Sequence, residues 1–322
     1  MSVNNSRSGS GYYLGFDGGG TKTDCVLADG RGHVLARAVS GPSNPLRIGY
    51  TRAWFSLSEA LDLVLSHEKI TSNDIRGVCA GLGGAGRDGV ARRVYSFFQR
   101  SLPNAYVEIT TDLLIALDAA FGDGEGIILI AGTGSAAFGR DIQGRTARAG
   151  GRGPWFSDEG SAFDIGRSAV RAVLKAEENC GPATALSAKL FSTLQLPNWD
   201  GVLDQLAKDP DKVFPKLFPL VAELGDDGDE VSRQILLDAA VSLGILARCV
   251  ADQLGQIDRQ VSVAKLGGTH GRSSYFDAAV DAELRKHLPH MKFVDLAMSP
   301  AEAAVRIAVR AAHANGDVAA TR

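Results

Sequence analysis

The sequence lacks grouped cysteine. Cys25, Cys79, Cys180 and Cys249 are far apart, with no CxxC pair and no Cys/His cluster at metal-ligand spacing, which excludes a zinc or iron-sulfur framework. It also lacks an excess of either charge: 34 basic against 37 acidic residues give a net charge of -3, so nothing attracts DNA, RNA or an anionic membrane. Long hydrophobic runs are missing too. The greasiest, Ala239–Ala247, stops at Arg248, far short of the ~18 uncharged apolar residues of a membrane span. Residues 1–11 have no apolar segment of the secretory kind and are expected to form a disordered tail. Together these absences lead us to expect a soluble cytoplasmic protein with free thiols, no nucleic-acid partner and no membrane partner.

Glycine, by contrast, is abundant: 38 of 322 residues, against a usual ~7%. With 45% hydrophobic and 22% charged residues the chain is not disordered, and its length suits two domains. Apolar alternation predicts strands at Tyr12–Phe16, Thr23–Ala28 and Val34–Ala38. Helix Trp54–Leu65, strand Ile75–Ala80, helix Val90–Gln99, strand Tyr106–Thr110 and helix Leu113–Phe121 follow, a meander and then parallel βα units. From Gly126 the order restarts with strands Ile127–Ala131, Ala136–Arg140 and Thr146–Arg148 and helix Ala162–Glu178. After a helical insertion at about 184–254 come strand Val261–Leu266, helix Phe276–Leu288, strand Lys292–Asp295 and helix Ala301–Ala312. One α/β fold is used twice, with a first domain at 12–121 joined by the C-terminal helix at about 300–315, and a second at 122–299. Within the insertion, Ile235, Ala239, Leu243, Leu246, Val250 and Leu254 make one helical face and Leu236, Ala240, Val241 and Ile245 another, so that helix is expected to be mostly buried. The acidic run Asp226, Asp227, Asp229, Glu230 before it suits a helix N-terminus better than a metal.

The glycines gather in turns after apolar strands. Asp17-Gly18-Gly19-Gly20-Thr21-Lys22-Thr23 lies between two strands; its backbone N–H groups and the Thr21 and Thr23 hydroxyls form a phosphate-shaped loop, with Asp17 placed for Mg²⁺. The GxxxxGK[ST] spacing is absent, so it is not a P-loop. Gly132-Thr133-Gly134-Ser135 occupies the same place in the second repeat, and two such turns across a cleft can grip a polyphosphate from both sides. Gly267-Gly268, after a third strand, admits a flat nucleoside against the backbone. Gly81-Leu82-Gly83-Gly84-Ala85-Gly86 matches GxGxxG, but it follows the fourth strand rather than the first, and we set it aside as a decoy.

Five segments in this order, Gly15–Thr23, Ile109–Asp112, Leu129–Ser135, Gly150–Gly153 and Ser157–Ser161, resemble the sugar kinase, heat-shock ATPase and actin superfamily. Within it they are most similar to the BadF/BadG/BcrA/BcrD type that includes N-acetylglucosamine kinase. The resemblance implies a duplicated actin-like, ribonuclease H-like fold with two domains around a central cleft, and ATP and Mg²⁺ as cofactors. It puts Asp17, Gly19, Gly20, Thr21, Lys22, Thr23, Gly132, Thr133, Gly134 and Ser135 at the phosphates, with Asp17 toward the metal, and Gly267 and Gly268 beside the adenosine. Asp112 matches the catalytic carboxylate. Asn44, Gly151, Arg152, Gly153 and Asp158 match the sugar-binding positions, although Arg152 replaces a tryptophan common between those two glycines.

The implied activity is phosphorylation of N-acetylglucosamine at its 6-hydroxyl with Asp112 as general base. Glucosamine and N-acetylmuramic acid are alternative substrates. Read without the resemblance, Asp112 could equally cap helix Leu113–Phe121, and Asn44 could be a turn residue between two prolines. A family member that activates a partner enzyme is a further alternative, but it requires cysteines grouped for a cluster. A DNA-binding sugar sensor would need a reading module that 11 N-terminal residues cannot supply. The expected partner is a small amino sugar, and the base rate for oligomers favours a homodimer.

Overall fold

In the computed structural model the described residues are 11–68 and 70–320; of the expected tail, all but Gly11 lies outside them. The described residues of 1–122 and 296–322 form one compact unit and those of 123–295 another.

The first unit holds β1 (Tyr12–Gly18), β2 (Thr23–Asp29), β3 (Val34–Ser40), α1 (Pro45–Ile48), α2 (Tyr50–Glu68), β4 (Ile75–Leu82), α3 (Asp88–Ser101), β5 (Tyr106–Thr110) and α4 (Asp112–Phe121). Its sheet runs β3-β2-β1-β4-β5, antiparallel through the meander and parallel from β1 to β4 to β5. β1 is central, hence apolar on both faces: Leu14 and Phe16 pack with Phe98 and Leu57 on one side, Tyr13 with Val305 and Ala308 of the C-terminal helix (Pro300–Ala320) on the other. That helix lies so close that a side chain at Gly15 would strike the Ala301 carbonyl.

In the second unit β6 (Gly126–Ala131), β7 (Ser135–Arg140) and β8 (Thr146–Gly150) precede α5 (Ala162–Glu177). The helices α6 (Leu186–Leu194), α7 (Trp199–Lys208), α8 (Pro210–Val213), α9 (Phe218–Asp226) and α10 (Glu230–Gln253) follow. β9 (Ser262–Leu266), α11 (Ser274–His287) and β10 (Lys292–Phe293) complete it. The order β8-β7-β6-β9-β10, antiparallel then parallel, repeats that of the first sheet. The expected strands all form. Helix ends differ more, because polar flanking turns carry no apolar period: α2 begins at Tyr50 rather than Trp54, and the C-terminal helix continues to Ala320.

α10 corrects two expectations. By length and composition it is apolar enough to cross a membrane, but half of its apolar stretch is buried, packed against β7, β8, α9 and α11. Its second face is also less covered than expected: Leu236 and Ala240 are buried, while Ile245 is 46% exposed. Leu243→Ala should therefore destabilise the protein by about 2–5 kcal/mol and Ile245→Ala by well under half of that, as read by denaturant unfolding. Ahead of α10 Asp229 is the cap, while Asp226 serves the start of α11. Asp229 accepts from Ser232 N (2.9 Å) and Ala185 N (2.9 Å), and Asp226 accepts from Tyr275 N (2.9 Å) and Ser273 Oγ (2.9 Å). No group of three or more metal-ligating side chains occurs among the described residues.

Candidate active site

In the first unit the β1–β2 turn is drawn tight by Gly19 N donating to Lys22 O (3.0 Å). None of the hydrogen bonds among the described residues uses the N–H groups of Gly20, Thr21 or Lys22. Consecutive unpaired donors in a turn are an anion site in the making. Thr23 behaves otherwise than expected: it is fully buried and its hydroxyl donates to Gly41 O (2.7 Å). It ties the turn to the chain after β3, and the hydroxyl on the loop itself is Thr21.

Asp17 stands at the end of β1, opposite Asp24 of β2. Asp24 is buried and paired with Arg37. Burial, then the charges of Asp112 and Asp24, push the Asp17 carboxyl up to about 7. A buried carboxyl raised in this way gives up its proton when a cation arrives, so Asp17 is a candidate to hold a divalent ion together with phosphate oxygens.

Gly19 O accepts from Ser43 N (3.1 Å) and Asn44 N (3.0 Å), which fixes the start of α1 against the β1–β2 turn. Asn44 is the N-cap of α1: its Oδ1 accepts from Leu46 N (3.0 Å). Its Nδ2 has no hydrogen-bond partner among the described residues. Asp112 is the first residue of α4, not its cap. Thr111 caps the helix, its Oγ1 accepting from Leu114 N (3.2 Å), while Asp112 Oδ1 accepts from Leu113 N (3.0 Å). The capping side chain of α4 is therefore that of Thr111.

The GxGxxG segment, set aside as a dinucleotide fingerprint, packs against the β1–β2 turn. Gly83 N donates to Gly18 O (2.8 Å), locking the turn after β4 to the turn after β1. A Cβ built at Gly83 would sit 2.9 Å from Asn44 Nδ2 and 3.4 Å from Asp112 Oδ2. Asn44 and Asp112 thus both lie against Gly83. The glycines were visible in the sequence; what their backbone touches was not.

In the second unit the β6–β7 turn closes through Gly132 N to Gly134 O (2.9 Å), and the N–H groups of Thr133 and Gly134 have no partner among the described residues. Ser135, like Thr23, is buried, and its hydroxyl donates to Glu159 O (2.6 Å), so it too braces the fold. The β9–α11 turn is joined to β6 by Thr269, whose N and Oγ1 both donate to Ala131 O (3.2 and 2.7 Å). This brings Gly267 and Gly268 alongside Gly132.

The segment after β8 has a strained residue at its heart. Asp158 has φ 68°, a conformation that costs a residue with a side chain about 1 kcal/mol or more, and it is only 5% exposed. Its carboxylate lies beneath the β6–β7 turn, where a Cβ at Gly134 would be 2.8 Å from Asp158 Oδ2. Ser161, not Asp158, caps α5. Arg148, which no motif singles out, donates to the carbonyls of Gly150 (3.1 Å) and Gly151. Gly151 and Gly153 are half-buried, Arg152 is exposed, and so are Trp155 and Phe156.

The sequence pattern of the BadF/BadG/BcrA/BcrD ATPase family matches residues 14–305 of this chain. The N-acetyl-D-glucosamine kinase of Dictyostelium discoideum is 31% identical over 311 residues, covering 92% of this chain and 97% of that protein. The N-acetylmuramic acid/N-acetylglucosamine kinase of Clostridium acetobutylicum is 29% identical over 299 residues, 92% and 98% of the two chains. Among solved structures, a candidate N-acetylglucosamine kinase from Chromobacterium violaceum superposes with a TM-score of 0.74 at 23% identity, over 92% of this chain and 98% of that one. At that identity the superposition establishes the fold: a two-domain actin-like α/β architecture.

Proposed function

The chain belongs to the BadF/BadG/BcrA/BcrD ATPase family, and from that premise we propose that it transfers the γ-phosphoryl group of ATP to the 6-hydroxyl of an amino sugar, N-acetylglucosamine before glucosamine or N-acetylmuramic acid. The names of its relatives supply the substrate class. The observation that carries the chemistry is the position of Asp112: a carboxylate at the start of α4, against Gly83 as the Asn44 amide also is, and within electrostatic reach of Asp17.

In this reading Asp112 accepts the proton of the 6-hydroxyl as that oxygen bonds to the γ-phosphorus, and the bond from phosphorus to the departing ADP oxygen breaks. The N–H groups of Gly20, Thr21 and Lys22 with the Thr21 hydroxyl, and those of Thr133 and Gly134 with the Thr133 hydroxyl, donate to phosphate oxygens. Thr23 and Ser135 hold these turns in shape. Gly267 and Gly268 offer flat backbone to the adenosine. Asn44 Nδ2, the Gly151–Gly153 backbone and Asp158 take the sugar hydroxyls, with Arg152 at the rim. Asp17 would hold Mg²⁺, which when bound neutralises phosphate charge. Such a reaction belongs in the cytoplasm, where ATP is made and the four thiols stay reduced.

The test is coupled ADP release with Mg-ATP against N-acetylglucosamine, glucosamine, N-acetylmuramic acid, N-acetylmannosamine and glucose. Strong turnover with N-acetylglucosamine is expected, with a kcat/KM that exceeds the value for glucose at least about tenfold, since a site built for an acetamido group leaves polar groups unpaired without it. Slow ATP hydrolysis unmoved by any sugar would overturn the proposal and favour an activator of a partner enzyme.

A further inference from the structure

Gly20, the last of the three glycines in the β1–β2 turn, is not required by its backbone. Its φ lies outside the left-handed region, unlike that of Gly84 or Gly267. What a side chain there would meet is Arg47 of α1: a built Cβ falls 2.6 Å from the guanidinium Nη1 and 3.0 Å from Cδ. The glycine makes room for the arginine. α1 is itself clamped to the turn by Ser43 N and Asn44 N on Gly19 O, and begins with a proline, so the guanidinium is carried on a braced element rather than a free loop. It is exposed and adjoins the backbone that presents the unpaired Gly20, Thr21 and Lys22 N–H groups.

We propose that Arg47 is a further catalytic residue, its guanidinium contacting the γ-phosphate of ATP and offsetting charge as the phosphoryl group moves. The proposal rests on the reading of the β1–β2 turn as a phosphate loop. Main-chain donors carry only partial charges, whereas the transferring group carries formal ones, and a planar guanidinium beside those donors provides two parallel N–H groups with a full positive charge. Arg47 lies outside the glycine-threonine motif and on a different element, so motif reading passes over it.

The test uses Arg47→Ala and Arg47→Lys in the full chain, with two readouts. In steady-state turnover with N-acetylglucosamine, Arg47→Ala should lower kcat about ten- to hundredfold with the sugar KM little changed, Arg47→Lys should recover part of the loss, and millimolar guanidinium chloride should partly rescue the alanine variant. By calorimetry in Mg²⁺, the wild type should bind ATP more tightly than ADP, and Arg47→Ala should erase most of that preference. The calorimetric readout holds whether or not any sugar is phosphorylated, so it separates failure of this inference from failure of the amino-sugar reading. A kcat within threefold of wild type with the ATP preference intact would overturn the inference. So would a loss of activity with the preference intact and no rescue, since it would make Arg47 a brace for α1 and Asn44.

Discussion

Replacing Asp112 by asparagine is expected to lower kcat by about 10²–10⁴-fold while ATP affinity stays within a few-fold of wild type. The geometry makes this a clean substitution. Thr111, not Asp112, caps α4, so the helix end keeps its main side-chain acceptor, and the asparagine carbonyl can still take the bond from Leu113 N that Asp112 Oδ1 takes now. What is lost is the oxygen that lies toward Gly83 and Asn44, and with it the capacity to accept a proton. The cost to folding is the helix-dipole share of one N-terminal charge, about 0.3–1 kcal/mol. Unfolding and ATP binding measured beside single-turnover kinetics separate the two effects. A kcat within a few-fold of wild type would remove Asp112 as the base and return it to a helix-end role.

The second large effect is expected at Gly267, in the turn after β9. Its φ is 107°, and a Cβ there would run into the carbonyl of Ala131 at the end of β6. That same carbonyl already accepts both the N–H and the hydroxyl of Thr269. It cannot give way without loosening the Gly132–Ser135 turn that follows it. Gly267→Ala therefore strains two glycine turns at once. We expect about 1–3 kcal/mol of strain, and a rise in the KM for ATP of about ten- to hundredfold, with a fall in Tm. Gly268→Ala is the control: nothing lies within 4 Å of a Cβ built at Gly268, and its φ is ordinary. It should leave Tm unchanged yet still raise the KM for ATP if the adenosine rests on that backbone. An unchanged KM in both variants would mean that the nucleotide does not use this turn.

These two positions mark how far the site could be read in advance. Asp112 could be singled out because it follows an alternating apolar strand and precedes an apolar helix, where a carboxylate has two good uses. Only the tertiary structure shows that the neighbouring Thr111, not Asp112, takes the cap. Gly267 could be found because glycines clustered after a third apolar strand. That its missing side chain protects the Ala131 carbonyl, 136 residues earlier in the chain, is written in no local pattern. The Gly81–Gly86 turn shows the same limit from the other side: its spacing resembled a dinucleotide fingerprint, and nothing in that spacing tells that Gly83 N donates to Gly18 O.

By itself the sequence determined the two five-stranded sheets, their common order of elements and the glycine turns at their strand ends. Strand and helix periods follow from the backbone repeats of 2 and 3.6, and turn glycines from local sterics. Both act over a few residues and are legible in a few residues. Only the tertiary structure decided that Thr23 and Ser135 brace their turns, that Asp158 sits in a strained backbone beneath Gly134, and that Arg47 lies over Gly20. Each of these depends on which atoms packing brings within 3 or 4 Å of each other, and hydrogen bonding and charge act over that distance in space, whatever the separation along the chain.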